Sequence, residues 1–386
     1  MDAARPLAGP LVGRRIGLLT ASASRLGGGV FEAVVVQAEL IRSQGGEAVV
    51  FALEDAFSAE DRARFGTSEV HHARVSGPGQ IGFAPRLAGN LASAGLDLLH
   101  LHGIWMYPSR AAHLWAKRTG GPLIISPHGM LDPWITARGR WKKALARVGY
   151  ERGAWASASA LHGLTKREAV DIARETGRSD TLVIPNACPL SQPEWQSNRA
   201  ANVLYIGRIH PKKNLVALVQ GWVAARKPDG ARLRIAGWGA DADVADLRGA
   251  IAGADGSVEF LGAIYGEAKA ALIAAARFMV LPSHSEGLPM AVLEAWAAAT
   301  PVIMTAQCNL PEGFVAGAAR ECGYDPAAIA SALAAALAMD EAEWQGMAAA
   351  ARGLAEGQFS PDAVAARWSD AYAKGITTAI ARKETR

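Results

Sequence analysis

Short apolar runs recur along the chain, each bounded by glycine, proline or small polar residues, with amphipathic stretches between them. In the first half these runs predict strands at 15–20, 48–52, 96–102 and 122–126. A helix is expected at about 30–44, between the first two strands. Runs that are continuously apolar, with helices between them, are typical of a parallel sheet covered on both faces.

The same plan repeats in the second half. Its apolar runs predict strands at 202–207, 232–237, 258–262, 278–282 and 301–305. The segment at 184–198 is rich in proline, serine, glutamine and asparagine, and we interpret it as the seam between two domains. The pattern therefore predicts an α/β protein with two doubly wound parallel sheets and a cleft between them, in which ligands bind at the carboxyl ends of the strands.

Composition agrees with this architecture. The chain has 386 residues, which favours two domains, and 50% of them are hydrophobic, which is enough for a large core. We find no apolar run of about 18 residues and no secretory signal, so we expect a cytoplasmic protein. The three cysteines, Cys188, Cys308 and Cys322, show no paired spacing, as in a reducing compartment. A net charge of +4 favours anionic partners weakly, and no nucleic-acid-binding motif is present.

Two glutamates, Glu286 and Glu294, flank a predicted helix start in the stretch HSEGLPMAVLE. Pro289 is expected at the first helical position, which leaves the backbone N–H groups of 290–292 free to face an anion. Glu286 would lie in the loop and Glu294 more than one turn into the helix, so they would contact different parts of one extended ligand. Carboxylates accept hydrogen bonds from the vicinal hydroxyls of sugars. The alternative is a surface helix with an acidic first turn.

A second strand-to-helix loop carries cations, in the stretch GRIHPKKN from Gly207. Arg208 and Lys213 lie five residues apart around a proline turn. Arginine forks onto phosphate oxygens and lysine acts as a point charge, so the pair is suited to a phosphate group. A solvated basic loop is the alternative.

Together the two stretches resemble the GR-x4-K and E-x7-E segments of the family-4 retaining glycosyltransferases, which have the GT-B fold. The matching residues are Gly207, Arg208 and Lys213, then Glu286 and Glu294. The resemblance covers nearly all of the chain and is strongest over about 200–310. Asn214 and Ala187 replace glycines that are usual in the family, at positions outside the presumed ligand contacts.

The resemblance implies two Rossmann-like domains with separate roles. Residues 1–188 would form an acceptor-binding domain, to which a crossover helix within 360–386, expected at about 361–375, would return. Residues 189–359 would bind the nucleotide-sugar donor. Arg208 and Lys213 would hold its diphosphate, and Glu286 and Glu294 would hold its sugar and ribose. The remaining donor contacts implied are Gly28, Gly29, Gly207, Gly237, Leu261, Gly287, Leu288, Met290 and Ala291.

No metal or other cofactor is expected, because these cations and a helix N-terminus would stabilise the leaving diphosphate. The sequence Asp241-Ala242-Asp243 is the one match to a metal-binding DxD motif, but it coincides with a predicted helix start.

The first half supplies a second set of candidates. The loop SPHGMLDPW after the strand at 122–126 resembles the HGM loop of a bacterial subgroup, which implies that His128 reaches the donor sugar or the reacting centre. His100 and His102 end a neighbouring strand, and we expect one of the two to be buried and structural. The glycines at 27–29 would let a diphosphate or acceptor approach the backbone, or form an ordinary turn.

A basic, aromatic stretch at 138–152 carries six cations and one acid. It predicts a peripheral contact with the anionic inner face of the cytoplasmic membrane, which would bring the enzyme to a lipid-linked acceptor. A solvated helix face is the alternative.

The function that these patterns favour is transfer of a sugar, with retention, from a nucleoside-diphosphate sugar to a polysaccharide or lipid-linked acceptor during cell-surface glycan synthesis. Gly237, Gly239 and Ala242 form a GxGxxA pattern that would suit an NAD(P)-dependent oxidoreductase. His100 and His102 would suit a metal-dependent hydrolase. A nucleotide-sugar-binding protein without catalysis, or another GT-B enzyme such as an epimerase or phosphorylase, are the further alternatives.

Overall fold

The structure is a computed structural model that describes residues 9–189 and 199–385, so most of the predicted seam at 184–198 lies outside the described residues. The chain divides into two compact units. The first comprises Met1–Asn186 with Pro361–Arg386, and the second comprises Ala187–Ser360.

The first unit is built on a parallel sheet, which has seven strands within the described residues. They are β1 Arg15–Ser22, β2 Glu47–Leu53, β3 Glu69–Ala73, β4 Leu98–His102, β5 Leu123–Ser126, β6 Ala160–Gly163 and β7 Thr181–Val183. The strand order is β3-β2-β1-β4-β5-β6-β7, so the direction of winding reverses between β1 and β4. The central strands are almost completely buried, as expected for a sheet covered on both faces.

The helices of the first unit connect these strands, and the last helix of the chain joins them. They are α1 Gly29–Ser43, α2 Ser58–Asp61, α3 Leu87–Ser93, α4 Tyr107–Thr119, α5 Pro133–Thr136, α6 Arg140–Ala146, α7 Arg152–Ser157 and α8 Lys166–Thr176. A π-helical turn at Arg147–Glu151 joins α6 to α7.

The second unit repeats the plan with a parallel sheet of six strands among the residues described. They are β8 Asn202–Ile206, β9 Arg232–Ala236, β10 Val258–Gly262, β11 Phe278–Leu281, β12 Val302–Met304 and β13 Ala319–Glu321. The strand order is β10-β9-β8-β11-β12-β13, which places the reversal between β8 and β11. The accompanying helices are α9 Leu215–Ala224, α10 Asp241–Ala252, α11 Gly266–Ala275, α12 Met290–Ala297, α13 Pro311–Val315, α14 Pro326–Leu337 and α15 Glu341–Glu356.

The predicted fold class is confirmed, with corrections to individual elements. The strands β3, β6, β7 and β13 were not predicted, because they are three to five residues long and carry polar or charged residues. Pro289 is not the first helical residue: its ψ of 115° is extended, so α12 begins at Met290. No helix within 9–189 or 199–385 is both long and apolar enough to cross a membrane.

The final helix, α16 Pro361–Glu384, belongs to the first unit and extends beyond the predicted end at 375. Gly375 does not end it. A Cβ at this position would lie 3.3 Å from Leu98 Cδ1 and 3.7 Å from Pro122 Cβ, so the glycine allows α16 to pack closely against the sheet.

A buried chain of hydrogen bonds joins α16 to α1 and to the sheet. The Gln37 amide donates to the Tyr372 hydroxyl over 2.8 Å, and the same hydroxyl lies 2.8 Å from His100 Nδ1. The Ile184 carbonyl fixes the proton of His162 on Nε2, so Ser126 donates to His162 Nδ1 and accepts from His100 Nε2. Neutral His100 then has no proton on Nδ1, and the Tyr372 hydroxyl donates to it.

We predict that Tyr372→Phe lowers the free energy of unfolding by about 1–3 kcal/mol, because it leaves two buried polar groups without their partner. Urea unfolding measures this loss. Ser369→Ala is the matched control: it removes a hydroxyl from the same helix that is also buried, but has no hydrogen-bond partner within the described part of the chain. Equal losses in the two variants would contradict the assigned hydrogen bonds.

Candidate functional site

Two loops of the second unit meet where the strand order reverses. One follows β8 and carries Arg208 and Lys213, and the other follows β11 and carries Glu286. The two strands are hydrogen-bonded neighbours, and the backbone N–H of His284 donates to the Lys212 carbonyl over 2.8 Å. In an open parallel sheet this reversal creates a crevice at the carboxyl ends of the strands. The structure therefore places these three predicted site residues on two adjoining loops, and it brings Lys213 and Glu286 into direct contact.

Lys213 and Glu286 form an ion pair between Nζ and Oε1. Their side chains are only 13% and 7% exposed. Burial alone would raise the pKa of Glu286, but the charges of Lys213 and Lys212 and the hydrogen bond from Lys213 outweigh it and hold that pKa below its ordinary value. The loop thus contains a carboxylate that remains ionised while almost completely buried.

The loop after β11 is held by hydrogen bonds to the residues that follow β12. The Glu286 N–H donates to the Gln307 carbonyl over 3.0 Å, and the Asn309 amide donates to the carbonyls of Glu286 at 2.6 Å and Gly287 at 3.3 Å. Asn309 has a φ of 57°, a left-handed conformation that asparagine tolerates well. Sequence reasoning missed Asn309, although asparagine at the end of a short turn after a strand is a signal for such a conformation.

Arg208 has an exposed side chain. Its guanidinium lies 5.4 Å from the centroid of the Trp238 ring, and its carbonyl accepts a hydrogen bond of 2.8 Å from the Tyr205 hydroxyl. These contacts orient the residue from its backbone and from one face of the guanidinium. The nitrogen edges of a stacked guanidinium stay available for a bidentate contact.

The glycines at 207, 237 and 239 allow two strand ends to come together. A Cβ on Gly237 would lie 1.9 Å from the Gly207 carbonyl oxygen, and one on Gly239 would lie 2.2 Å from the Ile209 carbonyl oxygen. The Ile209 N–H donates to the Trp238 carbonyl over 2.7 Å. This close backbone approach accounts for the GxG pattern without a dinucleotide, so the pattern does not favour an oxidoreductase.

The N-terminus of α12 lies next to the ion pair in sequence, after Gly287 and Leu288. Within the described residues no side chain caps this helix. The Val292 N–H donates to the Pro289 carbonyl over 3.0 Å, so it is not one of the free groups that were expected. Met290 and Ala291, at the first two helical positions, have no intrahelical acceptor for their N–H groups.

Glu294 lies one turn further along α12 and pairs with Lys269 of α11, at 2.7 Å between Oε1 and Nζ. Lys269 was not predicted, because the contact joins residues 25 apart on separate helices. Leu261, also proposed as a donor contact, is half-buried at the end of β10. Its neighbour Gly262 accepts a 2.7 Å hydrogen bond from Gly237 through its carbonyl oxygen.

The HGM loop of the first unit follows β5 and adopts a left-handed conformation. His128 has a φ of 53° and Gly129 a φ of 75°. Glu168, at the start of α8, accepts hydrogen bonds from the N–H of Gly129 at 2.6 Å and of Leu164 at 2.8 Å. Burial raises the pKa of Glu168 to about 7, although these two N–H groups act in the opposite direction. Sequence reasoning did not identify Glu168.

Three buried histidines lie on the strands that flank β5: His100 and His102 on β4, and His162 on β6. His100 and His102 are both buried, which corrects the expectation for one of them: residues two apart on a strand share a face. Burial lowers the pKa of each well below its ordinary value, as do the neighbouring histidines. His102 Nδ1 lies 2.9 Å from His128 Nε2. Both nitrogens of His100 are occupied by Tyr372 and Ser126, so it does not form a metal-binding pair with His102.

The glycine loop after β1 has open space beside it. A Cβ on Gly28 or Gly29 would contact nothing within 4 Å, and Gly28 has a φ of 56°. The hydroxyls of Ser22 and Ser24 donate to Asp55 over 2.7 and 2.9 Å, which fixes the start of the loop. The open backbone is consistent with the close approach of a ligand.

The basic stretch at 138–152 has a mixed structure. Lys143 donates to the carbonyls of Ile135 and Arg138, and Arg147 pairs with Glu175, so these two cations hold the segment together. The remaining cations are exposed: Arg138, Arg140, Lys142 and Arg152. Three apolar side chains on the same stretch are also exposed, namely Trp141 at 67%, Leu145 at 66% and Val148 at 72%.

Two family profiles match the chain. One, described as "Glycosyl transferases group 1", matches residues 200–339. The other, described as "Glycosyl transferase 4-like domain", matches residues 28–187. The matches fall in the second and first units respectively and together cover most of the chain.

Individual relatives agree with these profiles. The chain is 28% identical over 285 residues to a GDP-mannose:cellobiosyl-diphosphopolyprenol alpha-mannosyltransferase of Xanthomonas campestris, covering 70% of this chain and 73% of the relative. It is 29% identical over 279 residues to a D-inositol 3-phosphate glycosyltransferase of Streptomyces avermitilis, covering 61% and 57% respectively. Among solved structures, Anabaena HepE in complex with UDP and glucose has a TM-score of 0.78 at 18% identity, covering 94% of this chain and 100% of that one, which shows the fold.

The raised pKa of Glu168 predicts a pH-dependent stability. Between its ordinary pKa of 4.5 and the folded value of about 7, the folded state retains a proton that the unfolded state has lost, so the free energy of unfolding falls as pH rises through this range. Relative to Glu168→Gln, which does not titrate, we expect the wild type to lose up to about 3 kcal/mol between pH 4.5 and 8. Urea unfolding across this range measures it.

The matched control is Glu267→Gln, at an exposed glutamate of the second unit. Glu168 is intact in this control, so its free energy of unfolding should fall with rising pH as it does in the wild type. A difference between the wild type and Glu168→Gln that does not change with pH would contradict the prediction.

Proposed function

Because the chain belongs to the family-4 glycosyltransferases with the GT-B fold, we propose that it transfers a sugar, with retention, from a nucleoside-diphosphate sugar to a lipid-linked or polysaccharide acceptor. The product would be part of a cell-surface glycan. The observation that carries the proposal is the position of Arg208, Lys213 and the N-terminus of α12 on the two loops that follow β8 and β11, at the strand-order reversal of the second sheet.

These groups are suited to a diphosphate. Arg208 would make a bidentate contact with its exposed guanidinium, and Lys213 would add a point charge. The N–H groups of Met290 and Ala291 would bind a further oxygen at the positive end of the helix dipole. Together they would stabilise the charge that develops on the leaving group, so we propose that turnover needs no divalent metal.

The Lys213–Glu286 pair would remain in place when the donor binds. An ammonium group has three hydrogens, so Lys213 can donate to a phosphate oxygen while it keeps its contact with Glu286. Glu286 would then use its remaining acceptor capacity for the hydroxyls of the donor sugar. On α12, Glu294 would accept hydrogen bonds from the ribose, and Lys269 would hold its carboxylate in position.

The reaction that we propose has no covalent enzyme intermediate. The bond between the anomeric carbon and the diphosphate oxygen breaks, and the acceptor hydroxyl attacks from the same face. The acceptor proton passes to the departing diphosphate, which accounts for retention without a protein nucleophile.

The nature of the acceptor is suggested by the Xanthomonas relative, whose name specifies a diphosphopolyprenol-linked acceptor. The exposed side chains of Trp141, Leu145 and Val148 lie at helical spacing and would enter the membrane interface, while Arg138 and Lys142 would contact anionic headgroups. A groove of about 530 Å³ lies beside them, with Arg140, Arg147 and Arg174 among its lining residues.

The donor site is tested by calorimetry with UDP, GDP, ADP, UDP-sugars, GDP-mannose and NAD(H). We expect one nucleoside diphosphate and its sugar conjugate to bind, with or without EDTA. In Arg208→Ala/Lys213→Ala the affinity should fall by about 100-fold or more, since each charge-assisted hydrogen bond contributes about 1.5–3 kcal/mol.

The matched control is Arg226→Ala/Arg248→Ala, which removes the same charge from exposed positions elsewhere in the second unit. It should bind the nucleotide like the wild type. Binding of NAD(H) alone, unchanged in the site variant, would reject the glycosyltransferase proposal. Nucleotide binding without sugar transfer to any lipid-linked or polysaccharide acceptor would favour a binding protein.

The membrane contact is tested by flotation with phosphatidylglycerol vesicles. The wild type should bind at low salt and release at high salt, and Trp141→Ser/Leu145→Ser/Val148→Ser should not bind, since the apolar side chains supply the buried area. The control Val216→Ser/Val223→Ser/Val315→Ser alters three exposed valines of the second unit and should bind normally. Failure of the wild type to bind would indicate a solvated face.

A further inference from the structure

The ring of His102 is the direct neighbour of the His128 ring. Its Nδ1 lies 2.9 Å from His128 Nε2, and the two rings stack with an interplanar angle of 24°. His102 is buried, and within the described residues its Nε2 has no hydrogen-bond partner. This combination of one hydrogen-bonded and one unpaired ring nitrogen limits where the protons can lie.

Two arrangements of neutral rings satisfy the contact. In the first, His102 carries its proton on Nδ1 and donates to His128 Nε2, which leaves a lone pair of His102 Nε2 unpaired. In the second, His128 donates and His102 carries its proton on Nε2, which leaves a buried N–H without an acceptor. Among buried backbone groups an N–H without a partner is rarer than an acceptor without one, and the same preference applied to the imidazole favours the first arrangement.

Neutral rings are expected at both positions. Burial lowers the pKa of His128 to about 3, and the nearby His162 acts in the same direction. For His102 burial comes first, and His128 and His162 add to it. At neutral pH, therefore, neither ring of this pair is an imidazolium cation.

A separate chain of hydrogen bonds holds the histidines around this pair. His162 Nε2 lies 2.7 Å from the Ile184 carbonyl, which only accepts, so His162 carries its proton there. Ser126 must then donate to His162 Nδ1 over 2.6 Å and accept from His100 Nε2 over 2.6 Å. The ring centroids of His100 and His102 lie 4.0 Å apart, so His100, which this chain of hydrogen bonds holds in place, packs directly against His102.

We propose that His102 is a positioning residue that holds His128 in the neutral tautomer with its proton on Nδ1. His128 then presents an N–H donor, rather than a base, to an oxygen atom of the donor sugar. This role rests on the proposed function, but the tautomer itself does not. The backbone supports the arrangement, because Glu168 holds the N–H of Gly129 directly after the left-handed His128.

Two substitutions of His102 should affect the tautomer of His128 differently. The side-chain amide of asparagine can place an N–H near the position of Nδ1, so His102→Asn should keep the contact with His128. His102→Phe fills the space without a donor and should release His128 to the other tautomer. His113→Phe is the matched control, since His113 is also buried and hydrogen-bonded in the first unit but contacts Ser157 instead.

The first test is long-range ¹H–¹⁵N NMR of histidine-labelled protein without substrate, with His128 assigned from His128→Gln. The signals should show the Nδ1–H tautomer in the wild type, in His102→Asn and in His113→Phe, and its loss in His102→Phe. His128 protonated on Nε2 in the wild type, or a tautomer unchanged in His102→Phe, would overturn the proposal.

The second test separates this role from a structural one and from the donor site. In His102→Phe, kcat/KM for the sugar nucleotide should fall about tenfold, the equivalent of one hydrogen bond, while the Kd of the nucleoside diphosphate stays within about twofold. His102→Asn should recover most of the loss. Equal losses in the two variants would reject the positioning role. Absence of nucleotide binding in the wild type would instead reject the proposed function, and the NMR result would still decide the tautomer.

Discussion

The buried ion pair between Lys213 and Glu286 is the contact on which the second unit's site depends. Removing two charges from water costs several kcal/mol for each ion, and neither charge could stay in its position without the other. The pair joins the loops after β8 and β11, and these loops meet only because their strands are neighbours at the reversal of the sheet. The strand order brings the two loops together, and the ion pair then fixes the charged side chains within them.

The candidate site groups of the two units differ in charge. In the second unit the candidate groups are charged, and a lowered pKa keeps Glu286 ionised, which suits a diphosphate and its counter-charges. In the first unit burial favours the neutral forms: the pKa of His128 is lowered to about 3, and that of Glu168 is raised to about 7. Neutral donors and acceptors are suited to sugar hydroxyls, which carry no charge but require defined directions for their hydrogen bonds.

The sequence predicts what is local and periodic. Continuous apolar runs located the central strands of both sheets, and the spacing of Arg208, Lys213, Glu286 and Glu294 identified the second unit's loops. The partners Lys269 and Asn309 could not be found in this way, because they reach the site from other elements. The turn that ends at Asn309 indicates a left-handed conformation but not the loop that its side chain holds. The GxG pattern from Gly237 shows the opposite limit. The same glycine spacing arises when the backbone approaches another strand and when it approaches a dinucleotide, so the pattern alone does not distinguish the two.

The last helix of the chain gives the first unit more than a packing surface. Tyr372 donates to His100, whose ring lies 4.0 Å from that of His102, and His102 contacts His128. These contacts are continuous from α16 to the HGM loop, and each one constrains the rotation of the next ring. Because each ring packs against the next, α16 contributes to the support of His128 through His100 and His102. Because α16 returns to the first unit, it adds to the support of His128 in the loop after β5.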